Sequence, residues 1–190
     1  MDKRVFILVI AAGVIGGLCA FKVTRHHAPP TSIAAQALAA PAPEFELYDQ
    51  NSPSRIVRLE GYLGRQRVIV AFFDGQAGAH ASPVLKRLRA DWSLLRKADI
   101  YVMAISTALP QENRKDIVKY GEFPFPLLSD PDFHVHREWG RFDTSTGKPR
   151  TGVFLVDRKG WIPWSRQTDA PQPVQDWEPA VAGMIAANEI

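Results

Sequence analysis

Thiols are almost missing from this chain. Of its 190 residues one is a cysteine, Cys19, and it lies in an apolar stretch near the N-terminus. The remainder can therefore hold no intrachain disulfide, no cysteine-based metal site and no cysteine nucleophile. A charge of one sign is lacking too. Lysine and arginine number 23 against 20 aspartates and glutamates, a net charge of +3, and no long cationic run interleaves with aromatics. That balance argues against nucleic acid as a partner. The stretch "LKRLRADWSLLRK" reads instead as the solvated side of a helix.

The first feature that is present is hydrophobic. Lys3 and Arg4 precede an uncharged apolar run over residues 5–21. As a helix at ~1.5 Å per residue it reaches about 25 Å, the short end of a membrane crossing. Residues 1–27 are thus expected to form an N-terminal membrane anchor, a transmembrane helix with its flanks. A cleaved signal peptide is the competing reading, although Leu18 and Ala20 suit a cleavage site poorly. Leu18 also stands where a lipoprotein signal has a small residue before its cysteine. Lys22 and Arg25 follow the run as Lys3 and Arg4 precede it, so charge does not decide the orientation. The commoner arrangement puts the domain on the extracytoplasmic, periplasmic side. Residues 28–43 are rich in alanine and proline without hydrophobic periodicity, and read as a tether. His26 and His27 have no third ligand nearby and read as solvated.

Residues 44–190 carry the pattern of a folded domain. "FELYD" and "RIVRL" are short strands joined by the turn-rich "QNSPS". "RVIVAFF" and "DIYVMAIS" are continuous apolar runs, expected for central strands buried on both faces. Between them Ser82 and Pro83 open a helix, as N-cap and first helical residue. Its buried stripe is Leu85, Leu88, Trp92 and Leu95. "QENRKDIVKYG" is a more polar helix ending at Gly121, and "FHVHREWG" one of about two turns. "TGVFLVDRKGWIPWS" reads as two strands about a turn at "DRKG". Val174, Trp177, Val181, Met184 and Ile185 share one face of a last helix. Strands alternating with helices, plus that hairpin, predict an α/β fold with a central mixed sheet flanked by helices.

Four stretches, "PAPEFELYDQ", "RIVRLEGYLGRQRVIVAFF", "YGEFPFPLLSDPDFHVHREWG" and "PRTGVFLVDRKGWI", occur in the order found in one family. The chain resembles the peroxiredoxins, the alkyl hydroperoxide reductase/thiol-specific antioxidant family, in its bacterioferritin-comigratory-protein branch. The resemblance covers nearly all of residues 41–190 and implies a thioredoxin-like fold. It also implies a P-x-x-x-T/S-x-x-C loop at the start of the first helix, bearing the peroxidatic cysteine. "DGQAGAHASPV" stands in that place. The cysteine's equivalent falls on Ala81 or Ser82, the loop's proline on about Asp74, and its threonine on about Gly78. The family's active-site arginine is matched by Arg150.

Peroxide reduction needs a nucleophile that takes up an oxygen atom and is later reduced, which a thiolate does and a serine hydroxyl does not. The expectation is a membrane-tethered, peroxiredoxin-like protein without peroxidase activity, a pseudoenzyme that binds a protein partner. The alternative is the thiol-dependent antioxidant peroxidase the resemblance implies, or an altered activity at a Ser82/Arg150 cleft. No cofactor and no metal site is expected, and an oligomer is left open. Ser82 with His80 as base is a poor catalytic pair, being two residues apart with no orienting acid in view. His134 and His136 diverge on a helix, which favours surface or packing roles over a shared metal. Arg150 has two readings, an anion ligand at the helix start or an ion pair with Glu138 or Asp143. Trp161, Trp164 and Trp177 are packing residues, with the Trp161–Trp164 edge also suited to an interaction surface.

Overall fold

A computed structural model describes residues 40–167. The 5–21 segment, the tether up to residue 39 and the last helix expected over 173–188 lie outside them. Among the described residues no helix is long and apolar enough to cross a membrane.

The order of elements follows the hydrophobic runs. Strands β1 (Ala40–Pro41), β2 (Glu46–Asp49) and β3 (Ile56–Arg58) precede the central β4 (Arg67–Phe72). Helices α1 (Pro83–Ala90) and α2 (Trp92–Lys97) lead to β5 (Ile100–Ser106), and α3 (Pro110–Tyr120) to β6 (Leu127–Ser129). Helix α4 (His134–Glu138), a small hairpin of β7 (Phe142–Asp143) and β8 (Lys148–Pro149), then β9 (Gly152–Val156), β10 (Trp161–Ile162) and β11 (Trp164–Gln167) follow. Seven strands form one mixed sheet in the order β11-β9-β4-β5-β6-β2-β3, with β4, β5 and β6 parallel to one another and the rest antiparallel to their neighbours.

Both faces of β4 are covered, as its unbroken apolar run predicts. Ile69 and Ala71 point to one core, with Phe73 just beyond the strand, against Leu85, Leu88 and Leu95 of α1 and α2. Val68, Val70 and Phe72 point to the other, against Val135, Trp139, Leu47 and Leu59. The alternation is the period-2 geometry of a strand.

Two departures from the sequence reading concern the first helix and the entry of the chain. The single helix expected after Ser82 is divided at Asp91 (φ −87°, ψ 2°), yet the Leu85, Leu88 and Leu95 stripe stays buried and Trp92 half-buried. The Asp91 carboxylate takes the Arg87 guanidinium at 2.5 Å while Leu94 and Leu95 donate to the Asp91 carbonyl, so a new turn starts where the first ends. Ala40 and Pro41, within the stretch read as tether, pair with Ile162 and Trp161, and the Ala42 N–H donates to the Gly160 carbonyl at 2.8 Å. The turn at Asp157–Gly160 forms as expected. The Asp157 side chain accepts from the Lys159 and Trp161 N–H groups, and Gly160 takes the left-handed φ of 81° that closes it.

Candidate functional site

The loop from Asp74 to Ser82 leaves the C-terminal end of β4, where open parallel sheets place their sites. Its course is set by two close approaches. A Cβ on Gly75 would lie 2.9 Å from the Ala108 nitrogen, so only glycine lets the loop press against the chain after β5. Gly78 has φ 84°, and a Cβ there would lie 3.0 Å from Asp116 Oδ1. A single helical turn, Ala79–Ala81, then delivers the chain to α1.

Ala81 is exposed and Ser82 half-buried at the helix start. Ser82 Oγ accepts the Leu85 N–H at 3.3 Å, so it is the N-cap the sequence predicts. His80 does not serve Ser82. Its backbone N–H and its ring Nδ1 both meet Asp116 Oδ2, at 3.1 Å and 3.0 Å. Its ring lies against those of Phe123 and Tyr120, with centroids 4.7 Å and 5.3 Å away. His80 Nε2 is buried and has no hydrogen-bond partner. The orienting acid that the sequence does not show beside His80 is therefore Asp116, on α3. The readable signal was the α3 stripe Asn113, Asp116, Ile117 and Tyr120, whose helical spacing puts a carboxylate on the inward side.

Arg150 lies just ahead of β9, whose Gly152 pairs with Phe72 at the end of β4, so the topology brings it to the loop's end of the sheet. Its guanidinium donates to Asp143 Oδ2 at 2.8 Å, the second of the two acids offered for it. Asp143 also accepts from the Ser145 hydroxyl at 2.6 Å, and these donors, Ser145 first and Arg150 next, hold its carboxyl well below the usual carboxylate range. Arg141 was missed. It is buried, donates to the Thr151 carbonyl at 3.2 Å and to Gln167 Oε1, and lies 5.7 Å from the Phe154 ring centroid. Gly152 makes room for it, since a Cβ there would be 3.1 Å from Arg141 Cδ.

The two histidines of α4 part as predicted. His134 is exposed and 3.4 Å from Glu138. His136 is fully buried, with Nδ1 2.6 Å from Asp130 Oδ2 and its ring edge-on to Phe72. Burial pushes the Asp130 carboxyl up, but the His136 ring and the N–H groups of His136 and Val135 outweigh it, and the net shift is downward. No group of three or more metal-ligating side chains occurs among the described residues. Trp161 is exposed at 43%, while Trp164 packs against the core. Trp177 lies outside the described residues.

Comparison with known proteins places this architecture. Residues 38–165 match the model of the AhpC/TSA family. Alkyl hydroperoxide reductase E of Mycobacterium tuberculosis is 33% identical over 154 residues, which cover 78% of this chain and 98% of that protein. Peroxiredoxin Bcp of Escherichia coli K12 is 32% identical over 130 residues, 64% of this chain and 79% of that one. The solved structure of Mycobacterium bovis AhpC superimposes with a TM-score of 0.65 over 79% of this chain and 91% of its own, at 13% identity. The fold is the α/β, thioredoxin-like one with a mixed central sheet.

Proposed function

The chain belongs to the AhpC/TSA family of peroxiredoxins, and on that premise we propose that it is a member without thiol-based peroxidase activity. In this reading residues 5–21 hold it in a membrane, the domain stands on the extracytoplasmic side, and it acts by binding a protein partner. One observation carries the proposal: the sole cysteine, Cys19, lies outside residues 40–190. Reducing a hydroperoxide moves an oxygen atom onto the nucleophile and breaks the O–O bond, and the oxidised nucleophile must then be returned by a thiol donor. Sulfur passes through a sulfenic acid; a serine oxygen has no equivalent reducible state. Ser82 is moreover engaged as the cap of α1, and His80, the base next to it, is turned to Asp116.

A second reading is favoured by the relatives themselves. Alkyl hydroperoxide reductase E shares 33% identity along 98% of its length. A peroxide-reducing activity resembling its named one would need a redox centre other than a cysteine in residues 40–190. Peroxide consumption by the full chain in detergent, with dithiothreitol as reductant, separates the two. The expected rate equals that of a protein-free control, for the wild type and for Cys19→Ala alike. A saturable rate abolished by Cys19→Ala would overturn the first reading, and one that survives the substitution would establish the second.

A further inference from the structure

We infer that the end of the sheet opposite the 74–82 loop is a docking surface for an anionic lipid bilayer. Four basic residues and one acidic residue precede Ala40, so residues 40–190 hold 19 of each sign and are neutral overall. One end of the sheet nevertheless carries a local excess of cations. The segments 64–67, 96–99 and 157–160 contain six cations, Arg65, Arg67, Arg96, Lys97, Arg158 and Lys159, against two carboxylates, Asp99 and Asp157. Glu60, exposed on the preceding turn, is the next carboxylate in sequence. At the far end of β4, residues 74–82 hold Asp74 and His80 and no lysine or arginine, and Arg150 near that end is ion-paired with Asp143.

These three segments are one surface. Gly64 N–H donates to the Arg158 carbonyl at 2.7 Å, and Arg158 Nε to the Arg65 carbonyl at 3.2 Å. Arg158 also reaches Asp99 at 2.8 Å, and Arg67 N–H donates to the Asp99 carbonyl at 3.2 Å. Arg67 is drawn inward, whereas Arg65, Arg96, Lys97 and Lys159 are exposed. Their charge is spread over three segments, which suits a laterally uniform anionic surface such as phospholipid headgroups. Trp161, exposed beside them, has the apolar ring and N–H that favour the headgroup layer. The chain enters the domain at this same end, where Ala40 pairs with Ile162 and Ala42 donates to Gly160. The choice of a bilayer as occupant rests on the proposed membrane role of residues 5–21. With the basic end on lipid, the 74–82 loop faces away from it.

The test uses the full chain carrying Cys19→Ala and one introduced cysteine, at Pro163→Cys beside the basic end or Ala77→Cys in the far loop, each spin-labelled. Both sites are exposed. Vesicles are phosphatidylcholine alone or with phosphatidylglycerol, and the readout is collision of the label with a neutral, water-soluble nickel chelate. Flotation with the neutral vesicles tests residues 5–21 separately. In the anionic vesicles accessibility at 163 should fall several-fold, with no change at 77. It should recover in high salt or when Arg65→Gln, Lys97→Gln and Lys159→Gln are combined. Protection at 163 without flotation on neutral vesicles would uphold the docking surface and remove the anchor. Equal accessibility at 163 in both vesicles would overturn the inference and leave the basic end to an acidic protein.

Discussion

Replacing Asp116 by alanine should loosen the 74–82 loop while leaving the sheet intact. The carboxylate accepts two hydrogen bonds from His80, at 3.1 Å from the backbone and 3.0 Å from the ring, and is 16% exposed. Each lost bond to a partly shielded donor costs ~0.5–1.5 kcal/mol, or about 2 kcal/mol for the pair. Because every 1.4 kcal/mol is tenfold, amide exchange at His80 and its loop neighbours should speed up ~30-fold. Hydrogen–deuterium exchange resolved by residue reads this directly, with Val70 and Met103 of the buried strands as internal references. Both bonds meet one oxygen, so Asp116→Asn can keep them and loses only the charge, and it should show a smaller loss than Asp116→Ala. Unchanged exchange at His80 in Asp116→Ala would refute the clamp. Equal acceleration at Val70 and Met103 would show that Asp116 stabilises the whole domain and not the loop.

Three further outcomes follow from the same geometry. Ser82→Ala removes the N-cap and should cost about 1 kcal/mol, seen as a lower Tm by calorimetry, with peroxide consumption still at the control rate. Gly75→Ala sets a Cβ 2.9 Å from the Ala108 nitrogen, and the backbone displacement should cost ~1–3 kcal/mol, read as a lower guanidinium midpoint at unchanged slope. The Asp130 carboxyl titrates below its unfolded value of ~3.9, so its contribution is complete above that pH and is lost as pH falls through the depressed folded value. Tryptophan fluorescence during acid titration should show that loss below about pH 4. Asp130→Asn should flatten it and cost about 3 kcal/mol at neutral pH, since one carbonyl oxygen must then serve three buried donors.

Local signals carried most of the fold. The β-branched runs of β4 and β5 announce strands buried on both sides, and Ser82-Pro83 announces a helix start, because each depends on a few adjacent residues. The division at Asp91 is hidden since Leu85, Leu88, Trp92 and Leu95 keep helical spacing across it. The pairing of Ala40 with Ile162 joins residues far apart in sequence, and the Ala40–Pro41 side is too short to show a strand pattern. The site was legible by position and not by contact. Ser82 as a cap follows from its neighbours, but His80 and Asp116 are 36 residues apart and meet only when α3 crosses the loop. Arg150 could be offered Glu138 or Asp143, and it was the β7–β8 hairpin, unforeseen, that carried Asp143 to it. Arg141 gave no signal, because its burial depends on the missing side chain of Gly152.

The two-residue pairing of β1 with β10 has a mechanical meaning. Tension arriving along the chain from before Ala40 meets this short ladder first. The ladder consists of Ala40 and Pro41 against Ile162 and Trp161, with the Ala42–Gly160 bond beside it. These few bonds lie outside the seven-stranded sheet. Peeling them releases slack between Ala40 and β2 while β2 stays bonded to β3 and β6. A pull on the chain ahead of Ala40 would thus load this ladder before it reached β4 and the loop it supports.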